Sequence, residues 1–353
     1  MKSINSPYLS DILIQVQALR GAISRFDPKP LETLSNAIKN EDFDRIILTG
    51  MGASFYALYP TWLYLARSSL PVMWIDTAEL LHYAKRQITP KSLIWIVSQS
   101  GRSAEIVSLL EYLRVVQPAT IIATTNDLSS PLAEIIQATT ARSVLIPIDA
   151  EPETTVSTRT YMNTLALCQI GARVMYGEDL IPSYAALEAA MDAMAVYLDN
   201  WEENQEVIGR RVSKPEHLVL IGRGSSIASV YCGALIIGEA GRIPAIGMHA
   251  GQFRHGPLEM CAPDLAVIIF AGPPETRHLN QRLANDIANC GARVFWLGPE
   301  NVGIPELPMP LAEGIGQPLA ETLPMQLLTV QLAQQSGLVP GIFKHIGKVT
   351  LEE

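Results

Sequence analysis

Two glycine-turn segments stand a fixed distance apart in this chain, TGMGAS at 49–54 and IGRGSS at 221–226. The same shift of 172 residues lays AELLHY (78–83) on AGQFRH (250–255) without a gap. Two matches at one offset imply a duplicated unit of roughly 150 residues, an ordinary domain size. Each turn follows an apolar run, RIILTG (45–50) or HLVLIG (217–222), and opens a helical pattern. PVMWID (71–76), SLIWIV (92–97), TIIATT (120–125) and SVLIPI (143–148) read as further strands with helical patterns between them. Strands that alternate with helices make a parallel sheet covered on both faces. With 353 residues there is chain enough for two such cores. The expected organisation is residues 1–198, opened by a helix over 10–24, and residues 199–353. Ile12, Leu13, Val16, Leu19 and Ile23 give that first helix its spacing. The run 160–200 reads as helix, broken near Gly177–Pro182.

Charge and residue usage remove several classes of function. The net charge is −9 and no Lys/Arg block stands out, so nucleic acid and anionic membrane are poor partners. A small anion is still admissible, because helix N-termini bind phosphate without net positive charge. Cys168, Cys232, Cys261 and Cys290 show no CxxC spacing and read as reduced, buried residues of a cytoplasmic protein. The six histidines show no paired ligand spacing, so no metal is expected. No cofactor is expected either, since GRGSS is too short for a dinucleotide fingerprint. No signal peptide opens the chain, and polar residues break its apolar runs short of membrane-spanning length.

The run SLIWIV ends in SQSGRSAE (98–105), where Ser98, Gln99, Ser100 and Ser103 crowd one turn. Such a turn is either solvated turn chemistry or an anion cradle, with hydroxyls and backbone N–H groups converging on a phosphate at a helix N-terminus. Shifting Ser98 by 172 gives Phe270, inside VIIFAGPPET, so the second copy lacks the serines and one cradle per chain is expected.

GMGASFYA, SQSGRSAE and VSTRTYMNTL in the first half, with GRGSS, GALIIGEAGRIPAIGMHAGQFRHGPLEM and the terminal IGKVTLEE, resemble the double sugar-isomerase (SIS) domain family. The similarity runs over almost the whole chain. It points to the isomerase half of glucosamine-6-phosphate synthase and its free-standing deglycase and deaminase relatives. The resemblance implies two tandem SIS domains, each an α/β three-layer, flavodoxin-like parallel sheet flanked by helices. It also implies an enzyme of phosphorylated hexoses or amino-hexoses, working by aldose–ketose isomerisation or by deamination or deglycation coupled to it. By the resemblance, Ser98, Gln99, Ser100 and Ser103 hold the phosphate and upper hydroxyls. Ser54, Ser157 and Thr158 complete the polar wall, or else simply cap helices.

Glu239 matches the family's catalytic glutamate, and Ile236, Ile237 and Gly238 give it an apolar setting suited to a raised pKa. His255 matches the histidine that opens the sugar ring and reaches the neighbouring subunit's site, which implies a homodimer. Lys348 matches a tail lysine able to form a Schiff base with the open-chain ketose. Glu153 resembles a family glutamate with spacing one residue short, and His249 has no such match and reads as structural. The sequence also departs from the synthase. It has no room for a glutaminase domain, so glutamine-driven amination is not expected. Ile236 stands where the synthase has lysine, and Lys344 where it has arginine. A non-catalytic sugar-phosphate sensor is the alternative reading, and a pseudoenzyme paired with a paralogue is a third.

Overall fold

The computed structural model describes residues 6–138, 142–213, 215–299, 303–345 and 347–352. It contains two parallel sheets. The first comprises β1 (Arg45–Gly50), β2 (Val72–Trp74), β3 (Ser92–Val97), β4 (Thr120–Thr125) and β5 (Val144–Pro147), in the order β2-β1-β3-β4-β5. The second comprises β6 (His217–Gly222), β7 (Ala245–His249), β8 (Leu265–Phe270) and β9 (Arg293–Leu297), in the order β7-β6-β8-β9. Every pairing in both sheets is parallel. All residues of β3, β4 and β8 are buried, as strands covered on both faces must be.

In the first sheet, Ile47, Ile94, Ile96 and Ile121 pack against Ile106, Leu109 and Leu113 of the helix Ala104–Val116. Trp95 points to the opposite face, where its indole N–H donates to Thr124 Oγ1 at 3.0 Å. The helix Arg159–Met175 comes so close there that a Cβ on Gly171 would lie 3.1 Å from the Trp95 ring. In the second sheet, Val219, Val267, Ile269 and Trp296 pack against Leu283, Ala284 and Ile287 of the helix Pro274–Asn289. On its other face, a Cβ on Gly233 would meet Leu220 at 2.8 Å and Met325 at 2.9 Å. Each sheet is therefore the middle of three layers, the α/β architecture that the alternating pattern predicts.

The chain forms two compact units. One comprises 17–152, 159–183 and 345–353, with the first sheet; the other comprises 1–16, 153–158 and 184–344, with the second. A cut after residue 198 falls between the sheets, but residues 184–198, with 1–16 and 153–158, belong to the unit with the second sheet, and 345–353 belong to the unit with the first. Within the second unit, Gln15 and Gln326 exchange amide hydrogen bonds at 2.7 and 3.1 Å, which satisfies two buried amides.

Among the described residues no helix is long and apolar enough to cross a membrane, and no cluster of ligating side chains could hold a metal ion. All four cysteines are free thiols, but only Cys168 and Cys232 are buried; Cys261 is partly exposed and Cys290 exposed, against the expectation of four buried residues. Burial pushes the Cys168 thiol up to about 12.

Candidate active site

The unit with the first sheet holds the serine turn. β3 ends at Val97, and the Ser98 N–H extends its ladder by donating to the Thr124 carbonyl at 3.0 Å. The chain then folds back on its own hydroxyls. Ser98 Oγ accepts the Gly101 N–H at 3.1 Å, and Ser100 Oγ accepts the Arg102 N–H at 3.2 Å. A serine oxygen that accepts keeps its own proton as a donor. Gly101 has φ +62, and a Cβ there would lie 2.2 Å from Ser130 Oγ, so the turn requires glycine. Gln99 is partly buried and its carbonyl accepts the Asn126 N–H at 3.0 Å. Ser103 stands just before the helix Ala104–Val116, and its side chain makes no capping bond. Ser54 lies partly buried in the short helix Gly52–Ala57, which follows β1.

Arg102 is the cation of this turn and is held to one side. Its Nε donates to Asp127 at 2.9 Å and its Nη2 to the Ser129 carbonyl at 2.9 Å. Hydrogen bonds from Ser129, then from Arg102, hold the Asp127 carboxyl below its usual range. The turn thus offers neutral donors rather than a point charge. The tail belongs to the same unit: the Ala104 N–H donates to the Thr350 carbonyl at 3.1 Å, and Lys348, partly buried, stands two residues earlier.

The unit with the second sheet holds Ser157, Thr158, Glu239 and His255. Ser157 is partly buried. Thr158 is fully buried and donates both its N–H, at 3.2 Å, and its hydroxyl, at 2.8 Å, to Glu153 Oε1. Its hydroxyl proton is therefore committed to Glu153. Glu239 does not continue the apolar helix Ile227–Ile236; it sits in a π-helical turn, Ile237–Gly241. Such turns are rare and occur often at functional sites. The turn ends at Arg242, which takes the left-handed conformation (φ 53) and donates from Nη2 to the Ile342 carbonyl at 2.9 Å. Ile236 is only 1% exposed.

Beside this turn lies a residue that sequence reasoning missed. Tyr8, on the first helix (Pro7–Arg25), is fully buried. Burial holds its phenol well above the ordinary range, and Cys232, Glu239 and Glu153 push it further, against Thr329. An aromatic at core spacing on an amphipathic helix carries no sequence sign of such neighbours. His255 is exposed at the end of the short helix Ala250–Arg254, followed by Gly256 at φ 127. His249 is held by Tyr231, its Nδ1 3.0 Å from the hydroxyl; burial and then Arg223 keep its imidazole below the usual value.

Comparison with known proteins adds to this geometry. The family model "SIS domain" matches residues 40–171 and 211–295. Over 325 residues the chain is 26% identical to the glutamine–fructose-6-phosphate aminotransferase (isomerizing) of Rhizobium leguminosarum bv. viciae, covering 86% of this chain and 52% of that protein. It is also 26% identical to the enzyme of that name from Pyrococcus horikoshii, over 98% of this chain and 57% of the other. The chain spans about half the length of these curated relatives. Two solved structures share the fold. Tagatose-6-phosphate ketose/aldose isomerase from Escherichia coli has a TM-score of 0.79 at 17% identity, covering 97% of both chains. Glucosamine-6-phosphate deaminase from Thermotoga maritima has a TM-score of 0.76 at 18% identity, covering 98% of this chain and 99% of that one. The matched segments span both sheets and more than half of the residues, so the chain belongs to the SIS domain family.

Proposed function

We propose that this chain is an enzyme of hexose 6-phosphates, catalysing aldose–ketose isomerisation, or deamination or deglycation coupled to it. The observation that carries the reading is the turn Ser98–Ser103 at the carboxyl end of β3, with the tail at the N-terminus of the following helix. Ligands of open α/β sheets bind at the carboxyl ends of the strands. A phosphate there accepts hydrogen bonds from the Ser98 and Ser100 hydroxyls, with Ser54, Gln99 and Ser103 at the wall. Such charge-assisted bonds are the strong ones. The names of relatives and structural neighbours that act on fructose 6-phosphate, tagatose 6-phosphate and glucosamine 6-phosphate support this substrate class.

In this reading Glu239 moves a proton between C1 and C2 through an enediol, the work of a carboxylate base. Lys348 condenses with the open-chain ketose, expelling water as a Schiff base forms. His255 passes the ring-opening proton between the ring oxygen and O1, and it does so in the site of a second copy of the chain. Its exposed position favours that use. One observation favours the sensor alternative: Ile236, buried at 1%, provides no amine three residues before Glu239.

Two measurements test the proposal. Hexose and amino-hexose 6-phosphates should raise the melting temperature by mass action, and the sugars without phosphate should not. The ligand that does so should then take up deuterium at C1 or C2 in heavy water. Tight binding with no deuterium uptake would replace the enzyme by a sensor.

A further inference from the structure

The second sheet carries a cavity of about 450 Å³ that no role above uses. It lies at the carboxyl ends of the parallel strands. Ala271 follows β8 and Gly298 follows β9, and Ser226, in the turn after β6, bonds to a wall residue. Its place in the second sheet corresponds to that of the serine turn in the first. β1 and β6 stand 172 residues apart, whereas β3 and β8 stand 173 apart, so Ser98 corresponds to Ala271 rather than to Phe270. The second counterpart has lost the serines and gained other polar groups.

Glu321 is the main one. It is 1% exposed, and its Oε1 accepts the Ser226 hydroxyl and the Gln317 amide, both at 2.8 Å. Its Oε2 has no hydrogen-bond partner among the described residues, although the residue lines the cavity. A buried acceptor left this way keeps its desolvation cost uncompensated, which a donor arriving in the cavity would recover. Arg277 and Glu313 also line the wall, and Ala186, Ala189, Met309 and Leu311 form its apolar side. Small-molecule sites combine an apolar wall with a few convergent polar groups in about 300–1,000 Å³. Two carboxyl groups to one arginine leave no net positive charge to hold a phosphate. They suit an uncharged or amine-bearing molecule with several donors and an apolar ring face.

We propose that this cavity is a second ligand site, binding an unphosphorylated sugar or amino sugar through a hydroxyl or ammonium that donates to Glu321 Oε2. It is separate from the serine turn and rests on none of the catalytic assignments.

The test follows the methyl group of Met309 by NMR in protein labelled with ¹³C-methyl methionine, the signal being assigned with Met309→Leu. Glucose, glucosamine and inorganic phosphate are the probes. Glucose or glucosamine should shift the Met309 signal saturably, and the Ser100→Ala variant should respond as the parent does. At pH 8, where the parent carboxyl is ionised, Glu321→Gln keeps the acceptor for Ser226 and Gln317 but turns the other atom into a donor, so it should weaken the probe at least tenfold. Ala186→Leu fills the cavity without touching the polar group and should abolish the shift, which keeps the test decisive if Glu321→Gln fails to fold. The proposal is overturned by an unresponsive Met309 methyl, by a response that survives both variants, or by inorganic phosphate binding there as well as the sugars.

Discussion

The carbonyl oxygen of Thr350 accepts the backbone N–H of Ala104 at 3.1 Å. Ala104 opens the helix that follows the serine turn, and its N–H is one of those a helix leaves without an internal partner. The tail takes that bond, which places Thr350 at the start of this helix, two residues after Lys348. Lys348→Met should therefore leave sugar-phosphate binding within a few-fold of the parent and lower turnover by at least about 10²-fold. Borohydride with a ketose 6-phosphate should trap a covalent adduct in the parent and none in the variant, read by mass spectrometry.

Removing the turn hydroxyls separates binding from folding. Ser100 is partly exposed and Ser98 is buried at 7%. Ser100→Ala should weaken hexose-phosphate binding by about 1.5–3 kcal/mol, with a melting temperature close to the parent's. Ser98→Ala should weaken binding similarly but also lower stability by about 1–3 kcal/mol, because the Gly101 N–H loses its acceptor in a buried setting. Equal affinity for phosphorylated ligand in both variants and the parent would refute the cradle.

Much of the fold was legible because the physics that makes it is written in residue type. β1, β3 and β4 match their apolar runs to the residue, since strands buried on both faces leave no polar gap to blur their ends. β2 is shorter than its run: only Val72–Trp74 pair with β1. The helical break near Gly177 is real, with helices Arg159–Met175 and Ile181–Asp199 on either side. The π-helical turn around Glu239 had no signature, because one extra residue in a turn changes hydrogen bonding without changing composition. The partnership of Thr158 with Glu153 was hidden in the same way. Tyr8 and Glu239 are separated by most of the chain, and Tyr8 lies outside the helix that the apolar spacing of residues 10–24 predicts, so nothing in that spacing pointed to it.

Glu321 makes stability depend on pH. Burial raises its carboxyl from 4.5 to about 7, opposed by hydrogen bonds from Gln317 and Ser226 and by Arg277. Between those values the folded chain holds a proton that the unfolded chain has released. Stability from this group is therefore complete below about pH 4.5, falls as pH rises and levels off above about 7. The fall is on the order of 3 kcal/mol. Urea unfolding of Glu321→Gln should lack that share of the pH slope. An identical slope in parent and variant would place the titration elsewhere.

If His255 serves a neighbouring copy, activity requires at least a dimer. Chains carrying Glu239→Gln and chains carrying His255→Ala should each be inactive alone. Unfolded and refolded together, they should recover part of the parent's turnover, because some hybrid sites receive one intact residue from each chain. A fully active monomer in sedimentation, or mixed dimers without recovery, would return His255 to a surface role.

Glu239→Gln decides whether the π-helical turn carries chemistry. Glutamine keeps the shape and accepts a hydrogen bond, but it cannot take a proton from carbon. General base catalysis is worth roughly 10²–10⁴-fold, so turnover should fall by at least that much while sugar-phosphate affinity stays near the parent's. Deuterium entry at C1 or C2 measures the same step without knowledge of the product, since enediol formation exchanges the proton even when no net conversion is seen. Uptake should fall in parallel with turnover. Tyr8→Phe provides the comparison: it removes the buried hydroxyl near Glu239 and Glu153 but leaves the carboxylate in place. It should slow exchange far less than Glu239→Gln. Undiminished exchange in Glu239→Gln would keep the enzyme and remove this glutamate from its mechanism.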